Sequence, residues 1–218
     1  MVERALTIER PGRRLEALLA LPSGTPRGGI VLCHPHPQYG GTMYNGVIGA
    51  IAREALVPGC AALRFNFGGA GESEGAFSGG PEEVEDARAA VGLLAAALPA
   101  SVPIALVGYS FGAYVALLAG AADPRIQHVV AVAPPLGLSS LDIPSSLPRA
   151  VSIIAADRDQ FCGPERLARL AREHPDRIRI ATTIAADHFF SGAEAAVGAA
   201  CRSVLAEVVS ATGAGSGT

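Results

Sequence analysis

Ser110 stands in Gly108-Tyr109-Ser110-Phe111-Gly112, between an apolar run and an alanine-rich stretch. A G-x-S-x-G that joins a strand to a helix is the sequence form of a nucleophile elbow. The turn is so tight that its flanking backbones nearly touch, so the outer two positions must be small. It lifts the serine Oγ clear of the carboxyl end of a sheet, beside a helix N-terminus that favours developing negative charge. With 26 glycines the bare pattern can arise by chance. The strand before it and the helix after it are what give it chemical meaning.

A serine hydroxyl is a weak nucleophile until a base takes its proton, and the base needs an acid to orient it. On a strand–turn–helix layout the partners follow in the order serine, acid, histidine. There are five histidines, at positions 34, 36, 128, 174 and 188. Only His174 and His188 come after Ser110 and a plausible acid. His174 ends a helix and belongs at the opposite edge of the sheet. His188 follows the last strand, in "AADHFFSG", where a base can reach Ser110. The acid is expected after "VSIIAA", where Asp157 and Asp159 compete. Asp159 is preferred because it lies deeper in the loop. Asp157 then suits binding of loop amides or of Arg158. Asp142 is an outside candidate, and Asp187 adjoins His188, where adjacent side chains diverge.

An oxyanion formed on the substrate needs two backbone donors. One is the amide of Phe111. The other should come from the loop after "GGIVLC", which reads "HPHPQYGG" over 34–41. Pro35 and Pro37 have no N–H, so His36 is the donor between them. Tyr39, Tyr44, Asn45 and Tyr109 are candidates for the pocket wall, and Asn45 equally for a helix cap. His34 and His36 together resemble half a metal site. Such a site needs further ligands, and no suitable cluster remains once Ser110, Asp159 and His188 are assigned. Their rings are expected to hold the loop still, and neither a metal nor a cofactor is expected.

Positioning these groups requires strands whose ends converge. Apolar runs predict strands at 2–9, 15–21, 28–33, 60–66, 103–108, 128–133, 150–155 and 177–184. "IVLC", "IALVGY", "VVAVA" and "VSIIAA" are nearly unbroken, as suits central parallel strands covered on both faces. Helices are predicted over 44–56, 81–98, 111–121, 164–173 and 191–210. Pro81 followed by Glu82 and Glu83 marks one helix start, and Pro164 marks another. The pattern gives an α/β fold with right-handed crossovers. One domain is expected over 1–210, with a disordered tail at 211–218. The connection 134–150 is too short for a lid domain.

Composition narrows the function. Half of the 218 residues are apolar and 17% are charged, with a net charge of −3. Nothing forms a basic patch, so nucleic acid and anionic membrane have little electrostatic support as partners. All 17 basic residues are arginines, which excludes a lysine Schiff base or a P-loop lysine. The four cysteines form no CxxC pair and read as reduced thiols in a cytoplasmic protein. The N-terminus lacks a signal-peptide core, and no apolar run reaches the length of a membrane span.

Five segments in order, "HPHPQYGGTMYN", "LRFNFGGAGESEG", "GYSFGA", "DRDQF" and "ADHFF", resemble the α/β-hydrolase superfamily. Within it the chain is similar to small bacterial serine hydrolases related to dienelactone hydrolase. The resemblance covers nearly the whole chain. It implies a mostly parallel, twisted sheet of about eight strands with helices on both faces and a minimal lid. It implies Ser110 as nucleophile, Asp159 as acid and His188 as base, and so supports Asp159 over Asp157. Two departures stand out. The family usually carries an arginine after the "FNF" strand, where this chain has Gly68. Dienelactone hydrolase itself has a cysteine nucleophile, so its substrate is not carried over. The glycine-rich "GGAGESEG" does not make G-x-G-x-x-G and is expected as a flexible loop near the site mouth, with Glu72 and Glu74 solvated.

The expected reaction is cleavage of an ester, or a thioester or amide, through an acyl-enzyme, on a small-molecule acyl substrate. Acyl transfer, cyclisation or carbon–carbon cleavage on the same fold is the alternative. A non-catalytic binding module is a third reading. A homodimer is left open.

Overall fold

A computed structural model of the chain describes residues 2–138 and 148–213. Its eight strands are β1 (Glu3–Arg10), β2 (Arg13–Ala20), β3 (Gly28–Cys33), β4 (Cys60–Phe65), β5 (Ile104–Tyr109), β6 (Ile126–Val132), β7 (Val151–Arg158) and β8 (Ile178–Asp187). They form one sheet in the order β1-β2-β4-β3-β5-β6-β7-β8. The β1–β2 and β2–β4 pairs are antiparallel, and every later pair is parallel. The helices are α1 (Gly46–Ala55), α2 (Pro81–Ala97), α3 (Phe111–Ala122), α4 (Pro164–Glu173) and α5 (Glu194–Gly213).

The unbroken apolar strands are central for a physical reason. All six residues of each of β3, β4 and β5 are buried, because helices cover both faces. Side chains alternate between two cores. Val31, Leu106 and Ile153 meet α2, α3 and α4 on one face. Ile30, Val107 and Ile154 meet α1 and α5 on the other. Truncating one of these, as in Leu106→Ala, should cost about 2–5 kcal/mol through lost transfer energy and the cavity left behind.

Local chemistry fixes the helix starts. Glu83 accepts from the Gly80 amide at 2.7 Å, from the Ser78 amide at 2.8 Å and from the Ser78 hydroxyl at 2.7 Å. It therefore ties off the start of α2 as well as facing its dipole. Asn45 accepts from the Val47 amide at 3.0 Å and caps α1.

Two expectations need correction, and one departure from the family pattern finds its explanation. Helix α5 continues through Gly213, so residues 211–213 are helical rather than part of a disordered tail; 214–218 lie outside the described residues. The glycine-rich loop is not loose. The Ser73 hydroxyl donates to the Asn66 carbonyl at 2.7 Å and accepts from the Glu16 amide at 2.9 Å, and the Glu72 amide donates to Glu16 at 3.0 Å. The loop is stitched to β2, while Glu74 pairs with Arg14 at the surface. Finally, the place a side chain at Gly68 would take is filled. A Cβ there would stand 1.9 Å from Nη1 of Arg13. Arg13 reaches it from β2 and is held by Glu82 and by Asp86.

Candidate active site

The strands β3, β5, β7 and β8 all present their carboxyl ends to one rim, where ligands bind in open α/β sheets. Ser110 stands on the turn from β5 into α3 with φ 55° and ψ −120°. Such backbone is strained for a residue with a Cβ, and the surroundings impose it. A Cβ on Gly108 would lie 2.0 Å from the Gly112 carbonyl oxygen, and one on Gly112 would lie 2.2 Å from that of Cys33. Both glycines are therefore required by contact. The Ser110 amide donates to the Val132 carbonyl at 2.9 Å, which locks the turn to β6.

Ser110 Oγ lies 2.8 Å from His188 Nε2, and His188 Nδ1 lies 2.8 Å from Asp159 Oδ2. The ring and the carboxylate are both buried. The other carboxylate oxygen, Oδ1, accepts from the amides of Phe161 at 2.8 Å and Cys162 at 3.1 Å. The acid is thus fixed by its own loop and offers one free edge to the imidazole. Nδ1 must carry the proton to meet that carboxylate, which leaves the Nε2 lone pair facing the serine hydroxyl.

Neighbouring groups hold His188 in place. Tyr109 donates its hydroxyl to the His188 carbonyl at 2.9 Å. Asp157 accepts from the Ala186 amide at 2.9 Å and pairs with Arg158 at 3.2 Å. The pairing with Arg158 is one of the two roles expected of it, the amide it holds belongs to β8 rather than to a loop, and the carboxylate at the ring is that of Asp159. Phe190, fully buried with φ 52°, anchors the far side of the loop. Asp187 turns away to accept from the Phe189 amide at 3.0 Å. His174 caps the end of α4 at the opposite edge, and His128 bonds Ser152 at 2.9 Å within the sheet. Asp142 lies outside the described residues.

The loop after β3 is shaped by backbone. The amides of Tyr39 and Gly41 both donate to the His36 carbonyl, at 3.1 and 3.0 Å. A Cβ on Gly41 would lie 2.0 Å from the Pro35 carbonyl oxygen, so the loop closes on itself. Among the described residues the His36 and Phe111 amides find no acceptor, and both residues line the cavity above Ser110. His34 is fully buried. It accepts from the Phe67 amide at Nε2, 3.0 Å away, and its Nδ1 donates to the Pro35 carbonyl at 2.7 Å. Both nitrogens are engaged by backbone, which leaves that ring no lone pair for a metal. Burial pushes its pKa down to about 4. The His36 ring instead packs on Tyr39, Phe77 and Phe111 at 4.6–5.0 Å.

The cavity above Ser110 has a volume of about 570 Å³. Tyr39, Asn45 and Tyr109 line it, and Asn45 does so while also capping α1. Tyr44 does not. Its hydroxyl donates to Glu16 at 3.0 Å and its ring lies under Arg64, which draws it away from the site. Sequence reasoning missed Pro135, Leu138, Phe161 and Phe189 as wall residues. Two of these carry a signal in the sequence: Phe161 is two residues past Asp159, and Phe189 adjoins His188.

The sheet order, the elbow and the residues gathered at this rim define an α/β serine hydrolase. Residues 24–157 match the serine aminopeptidase S33 model, and the chain belongs to that hydrolase family. It is similar to a lidless α/β serine hydrolase from Xanthomonas campestris, with 28% identity, 94% of each chain covered and a TM-score of 0.85. A serine hydrolase homologue from Coxiella burnetii is similar at 27% identity, covering 95% of this chain and 98% of that one, with a TM-score of 0.83. An uncharacterized protein of Rickettsia prowazekii is 31% identical over 188 residues, 83% of this chain and 79% of that one. Among the described residues no helix is long and apolar enough to cross a membrane.

Proposed function

We propose that this hydrolase cleaves carboxylic esters through an acyl-enzyme, with Ser110 as nucleophile, His188 as base and Asp159 as its orienting acid. The observation that carries the reading is the unbroken chain of contacts from Ser110 Oγ to His188 to Asp159, each 2.8 Å long. Ser110 Oγ attacks the ester carbonyl carbon as Nε2 takes the hydroxyl proton. The carbonyl electron pair moves onto oxygen, where the amides of Phe111 and His36 receive it. Asp159 keeps Nδ1 protonated and stabilises the imidazolium. The tetrahedral intermediate collapses, the C–O bond to the alcohol breaks, and His188 returns its proton to the leaving oxygen. Water then enters, gives a proton to Nε2 and releases the acid and free Ser110 by the same steps.

Esters are favoured over peptides with a free N-terminus by the cavity wall. Holding a substrate ammonium calls for a carboxylate, and none of the described lining residues supplies one. Only residues 133–150 separate β6 from β7, which leaves little chain to cover the site. A fluorophosphonate probe tests the reading. Ser110 should be labelled in wild-type protein and the label lost in Ser110→Ala. Absence of labelling in folded wild-type protein overturns it.

A further inference from the structure

The described wall of the cavity is built mainly from uncharged side chains. Among the described residues it holds no arginine and no carboxylate. Three guanidinium groups are tied up in ion pairs, and Arg166, exposed at the start of α4 near Cys162, is not a wall residue. Arg13 is held by Glu82 and Asp86, Arg64 by Glu3 at 2.6 Å, and Arg158 by Asp157 at 3.2 Å. Of the histidines on the wall, His36 is held below its ordinary range by burial, and His188 is committed to Ser110 and Asp159.

The rim is apolar as well. Seven large apolar side chains stand exposed on the described surface, and three of them, Tyr39, Leu138 and Phe189, border this one cavity. Scattered exposed apolar side chains need no explanation, whereas a cluster around one opening marks where apolar matter binds. Phe161 meets Phe189 edge-on at 6.3 Å and the His188 ring edge-on at 4.6 Å, so the apolar wall runs down to the base itself. A ring or branched alkyl group against these faces gains contact and loses unfavourable hydration. A charged group there loses hydration and meets no counter-charge among the described wall residues.

Building on the serine-esterase reading above, we propose that the substrate is a neutral ester with a ring-sized apolar group seated against Tyr39, Leu138, Phe161 and Phe189. Esters with a carboxylate or an ammonium near the scissile bond are rejected.

Matched p-nitrophenyl esters test this on the full chain. The methyl succinate ester is compared with the hydrogen succinate ester. The 5,5-dimethylhexanoate is compared with the 4-(trimethylammonio)butanoate, which has the same shape and a positive charge. After correction for spontaneous hydrolysis, the neutral member of each pair should have a kcat/KM about tenfold or more higher. In Phe189→Ala the advantage of the dimethylhexanoate over the acetate should shrink several-fold. Equal or better turnover of either charged member overturns the proposal. So does an unchanged dimethylhexanoate advantage in Phe189→Ala, or failure of a preparation that labels at Ser110 to turn over the neutral esters. Loss of labelling at Ser110 would instead defeat the esterase reading itself.

Discussion

His34 and His188 are both buried at the same end of the sheet, yet they are held in opposite ways. His34 meets backbone at both nitrogens: the Phe67 amide at one and the Pro35 carbonyl at the other. Neither partner can exchange a proton, so the ring is frozen as one neutral tautomer. His188 meets side chains at both nitrogens: a hydroxyl at one and a carboxylate at the other. The hydroxyl can give up its proton, and the carboxylate stabilises the cation that results. Burial alone therefore says little about a histidine's task. The chemistry of its two partners decides whether it is a brace or a base.

The sharpest way to break this contrast is to remove His188, the proposed base. His188→Ala should lower kcat by about 10⁴-fold or more and leave the melting temperature within a few degrees. A folded His188→Ala variant with near-normal turnover would refute its role. Less severe is the removal of a single N–H on the loop that His34 braces. His36 already has φ −54°, which proline adopts without strain, and its amide closes none of the loop's own bonds. His36→Pro should therefore fold and lose about 10²–10³-fold in kcat, as expected for one missing oxyanion donor. Turnover at the wild-type rate would remove His36 from the proposed oxyanion site.

The smallest expected effect concerns the brace. His34 is depressed to about 4 in the folded protein by burial, and so is His128. The unfolded chain, with ordinary histidines near 6.5, binds protons that the folded chain refuses. Stability is then complete above about pH 6.5 and falls as the pH drops towards about 4, by up to about 1.4 kcal/mol per pH unit for each ring. Urea unfolding between pH 6.5 and 5, above the ordinary carboxylate range, isolates this effect. His34→Gln should be less stable at pH 7 and show a shallower fall. A wild-type curve that is flat, or that rises, across the window would contradict the assignment.

Much of this site was legible before any fold was drawn. The elbow was readable because its steric demand forces two glycines around Ser110, and because a buried strand and a helix must flank it. The preference for Asp159 needed only chain order and loop depth, and the structure brings Asp159 to the His188 ring while sending Asp157 to the Ala186 amide. The rest depended on contacts between distant segments. Tyr44 looked as suitable for the wall as Tyr39, but a bond to Glu16, 28 residues away, turns it aside. Phe161 and Phe189 are 28 positions apart and become one wall only because β7 and β8 are neighbours.

Gly68 draws the line between the two sources most clearly. By itself the sequence determined the alternation of strands and helices, the chain order of Ser110, Asp159 and His188, and the single N–H that two prolines leave between them. These follow from local rules: periodicity, steric limits on turns, and the missing amide of proline. The sequence could only register that Gly68 lacks a side chain. Tertiary structure decided that the space belongs to Arg13 from β2, pinned by two carboxylates of α2. It decided likewise which aromatic rings face the cavity, because those outcomes depend on which surfaces are pressed together when the sheet is assembled.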